Sequence, residues 1–169
     1  MHFYCKNKDK SSINNVLKRR SEKVKNMRRV VRVQWSDPIL IDEAIKDEIT
    51  LNKGLYYITN LYQEKETSEY LGMASNTIRS RLIDHAKHWL SEYDGEVYVR
   101  CGIITYPKNV DYNLIYDVES ALIYTNRELF NENTAKLKSY SYLKLYLVEN
   151  MGNYFELDKI ADMYEHPDY

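Results

Sequence analysis

Five side chains in the middle of this chain are of types that can hold and hydrolyse a phosphate ester: Tyr56, Tyr70, Arg81, His85 and Glu119. Phosphodiester hydrolysis needs an activated water, charge stabilisation on the phosphate oxygens and a Lewis acid. Arg81 carries a planar fork of donors suited to phosphate oxygens. Arg79 competes with it for that role. Glu119 offers the hard oxygen that Mg²⁺ or Mn²⁺ accepts, and one carboxylate suffices when the ion keeps several waters. A free tyrosine has a pKa of roughly 10, so Tyr56 is a base candidate only where a cation lowers that value. Otherwise it orients the water. Tyr70 supports it by hydrogen bonding, and His85 can bond a phosphate or shuttle a proton. Each residue also has an ordinary reading: packing for the tyrosines, a surface ion pair for Arg81, a helix flank for His85 and a solvated helix edge for Glu119.

The elements that must position these groups follow from local patterns. Gly54 to Thr59 reads as a strand, with Tyr56 and Tyr57 facing opposite sides. Gln63 to Ser68 reads as a hairpin loop and Glu69 to Gly72 as the returning strand, with Gly54 and Gly72 as backbone devices. Ser75 or Asn76 caps a helix running to about Leu90. Its core face is Ile78, Leu82, Ala86 and Trp89, and Arg81, His85 and His88 line one flank. Glu96 to Thr105 alternates as a third strand. Tyr112 to Leu129 reads as a helix with the stripe Leu114, Val118, Ala121 and Leu122, and with Glu119 at its edge. Strands are expected at Leu143–Val148 and Tyr154–Leu157, then a short helix from Asp158.

The 169 residues suffice for one packed domain plus an extension. With 44% hydrophobic and 29% charged residues the composition is that of an ordinary globular protein. No apolar run reaches the length of a membrane span, and the first residues lack a secretory core, so a cytoplasmic location is expected. Cys5 and Cys101 match no zinc spacing and no disulfide framework. The net charge of −1 hides an asymmetry. Residues 1–34 hold eleven basic residues against Asp9 and Glu22, a charge of +9 that leaves −10 for the remainder. Lys18, Arg19, Arg20, Lys23, Arg28, Arg29 and Arg32 belong to this arm, which suits a polyanion partner. The pattern from Ser12 to Val33 is helix-compatible, and Ile39 to Thr50, after Pro38, reads as a short amphipathic helix. The expected division is a basic helical extension over 1–50 and a body over 51–169.

Gly54-Leu55-Tyr56 followed by Tyr70-Leu71-Gly72 resembles the paired signature of the GIY-YIG nuclease superfamily. Arg81-Leu82-Ile83-Asp84-His85 is similar to that family's helix arginine and histidine. Glu119 followed by Leu122-Ile123, and then Phe130-Asn131, resembles its glutamate and asparagine. The likeness runs from about Gly54 to Asn131. Leu replaces Ile in each half, 13 residues separate Tyr56 from Tyr70, and the usual proline before the asparagine is absent. The resemblance implies an α/β (α+β) fold with a small, mostly antiparallel central sheet flanked by helices. It implies a metal-dependent DNA endonuclease, of restriction or homing type among others. Tyr56, Tyr70, Arg81, His85, Glu119 and Asn131 would form its site, with Glu119 on the Mg²⁺ or Mn²⁺ and Asn131 fixing the site by hydrogen bonds. Double-stranded DNA is the implied partner, held by Arg79 and the basic arm, and a homodimer is compatible with cutting both strands. The alternative is a nucleic-acid-binding module that keeps the fold without catalysis.

Overall fold

A computed structural model describes residues 29–130 and 146–163. They form an α+β unit built on a mixed sheet. In chain order the strands are β1 (Arg29–Trp35), β2 (Ile39–Leu40), β3 (Gly54–Tyr62), β4 (Lys65–Ala74), β5 (Glu96–Tyr106), β6 (Tyr146–Gly152) and β7 (Ile160–Asp162). The helices are the single turn α1 (Ile41–Ala44), α2 (Ile78–His88) and α3 (Tyr112–Thr125). The spatial order is β4-β3-β5-β1-β6-β7, with β2 pairing on β5. Every pairing is antiparallel except β1 with β6, which is parallel.

β3 and β5 lie in the interior of the sheet and are apolar on both faces, so they read as near-continuous hydrophobic runs. Consecutive residues therefore feed different cores. Leu55, Tyr57 and Leu71 join Val31, Val33, Trp35 and the α3 residues Ile115, Val118 and Leu122 on one face. Tyr56, Ile58, Val97, Val99 and Cys101 join Ala44, Ile78 and Leu82 on the other. A helix thus covers each face, and the expected opposition of Tyr56 and Tyr57 is what separates the two cores.

Several local expectations are corrected. Val31, Val33 and Trp35 are buried while Arg32 and Gln34 are exposed, the period of a strand. The end of the expected basic helix is instead β1, inside the sheet, and residue 50 falls between β2 and β3 of that same sheet. Residues 1–28 lie outside the described residues. Ile39 to Thr50 divides into β2, α1 and a 3-10 turn at Glu48–Leu51. The hairpin loop is not Gln63 to Ser68 but the two residues Gln63 and Glu64, with φ of 50° and 63°. Positive φ at both centres defines the tight turn whose twist matches its flanking strands. Thr77, not Ser75 or Asn76, caps α2, its side chain accepting from Ser80 N at 3.2 Å. α3 ends at Thr125. Tyr154–Leu157 is a turn with Phe155 at φ 52°, and the strand β7 stands where a helix was expected from Asp158.

Candidate active site

β3 and β4 pair with Tyr56 opposite Gly72 and Ile58 opposite Tyr70. One extra residue, Glu69, bulges between the Tyr70 and Ser68 pairings. Cross-strand partners share a face, so Tyr56, Tyr70 and the gap at Gly72 all look toward α2. A Cβ at Gly72 would overlap the Tyr56 hydroxyl and stand 2.5 Å from Tyr70 Cε1. Glycine there is what lets the phenol lie across β4. At Gly54 the constraint is backbone approach: a Cβ would stand 2.5 Å from Gly102 O.

α2 brings its flank over this surface. Tyr56 Oη and His85 Nε2 are 2.8 Å apart. Tyr56 stacks on Tyr70 with centroids 6.0 Å apart, and Tyr70 meets the His85 ring edge-on at 5.2 Å. The Arg81 charge acts on the same phenol, and its guanidinium pairs with Asp84 at 3.6 Å on its own helix. Partial burial works against the Arg81 cation, but Tyr56, Tyr70 and Asp84 beside it outweigh that and raise its pKa.

Glu119, expected as the metal ligand at the edge of the α3 stripe, is not at a solvated edge. It is fully buried, as is every α3 residue from Val118 to Tyr124. α3 packs on the opposite face and makes much of its contact along β4. From there the Glu119 charge still acts on Tyr56 and helps to raise its pKa.

The electrostatics redefine the tyrosine. Burial pushes the Tyr56 phenol well above its ordinary value, and Tyr70 and Glu119 add to the shift while Arg81 opposes it. Tyr56 in the ligand-free protein is a neutral phenol, suited to orienting a water rather than to abstracting its proton. Burial, then Arg81, lower the His85 pKa to about 4, so its imidazole is neutral at pH 7.

The other expected residues fall elsewhere. Arg79 turns into the protein: Nη2 donates to Asp47 O at 2.8 Å and Lys46 O at 3.2 Å, and Nε to Thr50 Oγ1 at 3.3 Å. It ties α2 to the 3-10 turn, and that geometry is a better account of it than a phosphate contact. Arg32 pairs with Glu149 at 2.7 Å, and Arg29 lies beside Tyr146. Asn131, Lys18, Arg19, Arg20, Lys23 and Arg28 lie outside the described residues. His88 points outward to Asp84 at 3.5 Å.

One residue of the cluster was read only as packing. Trp89, at the end of α2, donates its indole N–H to His85 Nδ1 at 2.9 Å. The signal was in the chain: His85 and Trp89 stand four apart on one helix face.

Among the described residues no group of three or more His, Cys, Asp or Glu gathers as a metal site. Asp84 stands beside Arg81 on α2, and the Glu119 carboxylate acts on Tyr56 from the other face of the sheet. Its chemistry fits a magnesium ion that takes its remaining ligands from water and phosphate. Its burial means that side chains over it must move to admit a hydrated ion. A cleft of about 770 Å³ elsewhere, lined by Gln34, Trp35, Asp37, Asn153 and Phe155, has no basic side chain and one acid, Asp37. It does not suit a phosphate. No helix among the described residues is long and apolar enough to cross a membrane.

Comparison with protein-family models, with curated proteins and with solved structures found no match to this chain.

Proposed function

We propose that this chain is a metal-dependent DNA endonuclease of the GIY-YIG type. One observation carries the reading: a phenol, an imidazole and a half-exposed guanidinium converge on a single face, with the Glu119 charge acting on the same phenol. Water attacks phosphorus, its P–O bond forms as the bond to the leaving oxygen breaks, the water's proton passes to solvent and solvent protonates the leaving oxygen. Arg81 stabilises charge on the phosphate oxygens as it accumulates. Tyr56, a neutral phenol held by His85, orients the water, and the stacked Tyr70 ring limits its movement. A divalent cation held by Glu119 would supply Lewis acidity to the phosphate. The basic residues ahead of β1 suit the DNA backbone and predict salt-sensitive binding.

Full burial of Tyr56 and Glu119 favours a second reading, a nucleic-acid-binding module without catalysis. Plasmid nicking separates the two. The first reading expects nicking that needs Mg²⁺ and is lost in Glu119→Gln, which keeps the side-chain volume. DNA binding with no nicking, or equal nicking by both proteins, overturns it.

A further inference from the structure

We infer that Trp89 is a positioning residue of this site: its indole fixes the His85 tautomer, so that the imidazole donates to Tyr56 and has no lone pair left to accept a proton. An indole N–H only donates. At 2.9 Å from Trp89 Nε1, His85 Nδ1 must therefore be the bare, accepting nitrogen. A neutral imidazole then carries its proton on Nε2, which faces Tyr56 Oη at 2.8 Å. Turning the ring over would present carbons to both partners, so the two bonds fix the orientation together.

The indole is itself held. Trp89 caps α2 with its backbone N–H on His85 O at 3.1 Å, so the ring folds back over the preceding turn. Tyr70 and Tyr93 pack on it at 5.6 and 5.8 Å. Tyr93 in turn donates to Glu69, the bulged residue of β4, at 3.0 Å. The groups that face His85 are Tyr56 from β3, Tyr70 from β4, Arg81, Asp84 and His88 from α2, and Trp89 itself. A neutral ring agrees with this setting, since burial and Arg81 both oppose the cation.

The arrangement assigns His85 a role that its residue type does not suggest. It is not a proton shuttle. It is a fixed donor that sets the phenol's orientation and leaves the phenol's own proton free to point elsewhere. The tautomer stands on geometry alone, whereas its consequence for cleavage rests on the nuclease reading.

The test is ¹⁵N-histidine NMR of the full ligand-free chain at pH 7, alongside plasmid nicking. The expected result in the wild type is a His85 ring protonated at Nε2 and bare at Nδ1. Trp89→Phe keeps an aromatic ring but removes the donor. In it the Nδ1–H form should appear. The nicking kcat should fall roughly tenfold with an unchanged KM for DNA. A wild-type ring protonated at Nδ1, or a tautomer unchanged in a folded Trp89→Phe protein, overturns the inference. Should that variant fail to fold, the wild-type spectrum alone decides. The expected tautomers without nicking in any protein would leave the lock standing and the nuclease reading refuted.

Discussion

Tyr56 and Tyr57 are neighbours in one strand, and each anchors a polar cluster containing an arginine and a glutamate. Behind Tyr57 the cluster is closed. The Tyr57 hydroxyl meets Ser68, which donates to Glu156. Arg100, with a side chain 3% exposed, donates to Glu66 at 2.7 Å, Thr59 at 2.9 Å and Asn153 at 3.1 Å, and lies 4.7 Å from the Phe155 ring. Behind Tyr56 the arginine is open: the Arg81 side chain is 45% exposed, and its acid partner is a neighbour on its own helix. Residue types alone do not separate the two clusters. The difference is where the positive charge points. Arg100 is already answered by a carboxylate, whereas Arg81 stands beside a buried phenol with solvent in front of it, where a phosphate can compete for its donors.

The comparison breaks first on the two arginines. Arg100→Ala strands Glu66 and empties a buried site, and should cost about 3 kcal/mol of unfolding free energy, the low end for a broken buried pair because Glu66 keeps some solvent contact. Arg81→Ala loses only an exposed pair, with an effect on stability of about 1 kcal/mol or less. Its effect on nicking should be the large one, roughly 10²- to 10³-fold, as for loss of a charge-stabilising donor. Urea unfolding and plasmid nicking of both variants make the check. Two variants with the same profile would erase the distinction between the clusters.

The second contrast lies at Gly72. Tyr57 needs no gap in β4 to reach Ser68, but Tyr56 lies where a Cβ of residue 72 would stand. Gly72→Ala should therefore displace the Tyr56 ring and break its bond to His85, at about 1–3 kcal/mol of overpacking strain. Thermal unfolding measures that cost, and the Tyr56–His85 bond can be followed in the His85 ¹⁵N signals. Unchanged signals would mean that β4 moves instead of the phenol.

The fold was legible where the pattern is local. The strands that carry Tyr56 and Tyr70, the strand at Glu96–Thr105 and the α2 face all follow from period 2 or 3.6. The misreadings have physical causes. The Gln63-Glu64 turn adopts positive φ without the Asn or Gly that announces it. Val31, Val33 and Trp35 alternate inside a run of basic residues, and what makes them a strand is β5 on one side and β6 on the other. The β6 partner is distant: Trp35 Nε1 donates to Asn150 Oδ1 across 115 positions. No window of local sequence contains such a parallel pairing. Glu119 sat at the edge of one apolar stripe, but α3 is covered by β4, β6 and β7 together, which buries its flank as well. Of the site, the residue types were readable, and so was the approach of Tyr56, Tyr70 and His85, whereas Glu119 lies across the sheet from them. The state of Tyr56 depends on burial, which no spacing reveals, and the direction of the His85 bond depends on Trp89, whose four-residue spacing shows proximity but not a hydrogen bond.

The last contrast separates the clusters by pH. His85 titrates at about 4 in the folded protein, below its ordinary value of 6.5. The unfolded chain then binds the extra proton in that window, so stability is complete above about pH 6.5 and falls as pH drops toward 4. Glu66 lies on the other face. Partial burial pushes it up, but hydrogen bonds from Arg100 and Thr59 outweigh that and hold its pKa below the ordinary 4.5. Its stabilising contribution is therefore intact above pH 4.5 and is lost only at lower pH. Unfolding free energy measured against pH should show two successive declines, the first with a slope of at most about 1.4 kcal/mol per pH unit. His85→Gln should flatten the decline between pH 6.5 and 4 and leave the lower one in place. Glu66→Gln should do the reverse. A single decline removed by either substitution would mean that the two faces of the sheet are electrostatically one.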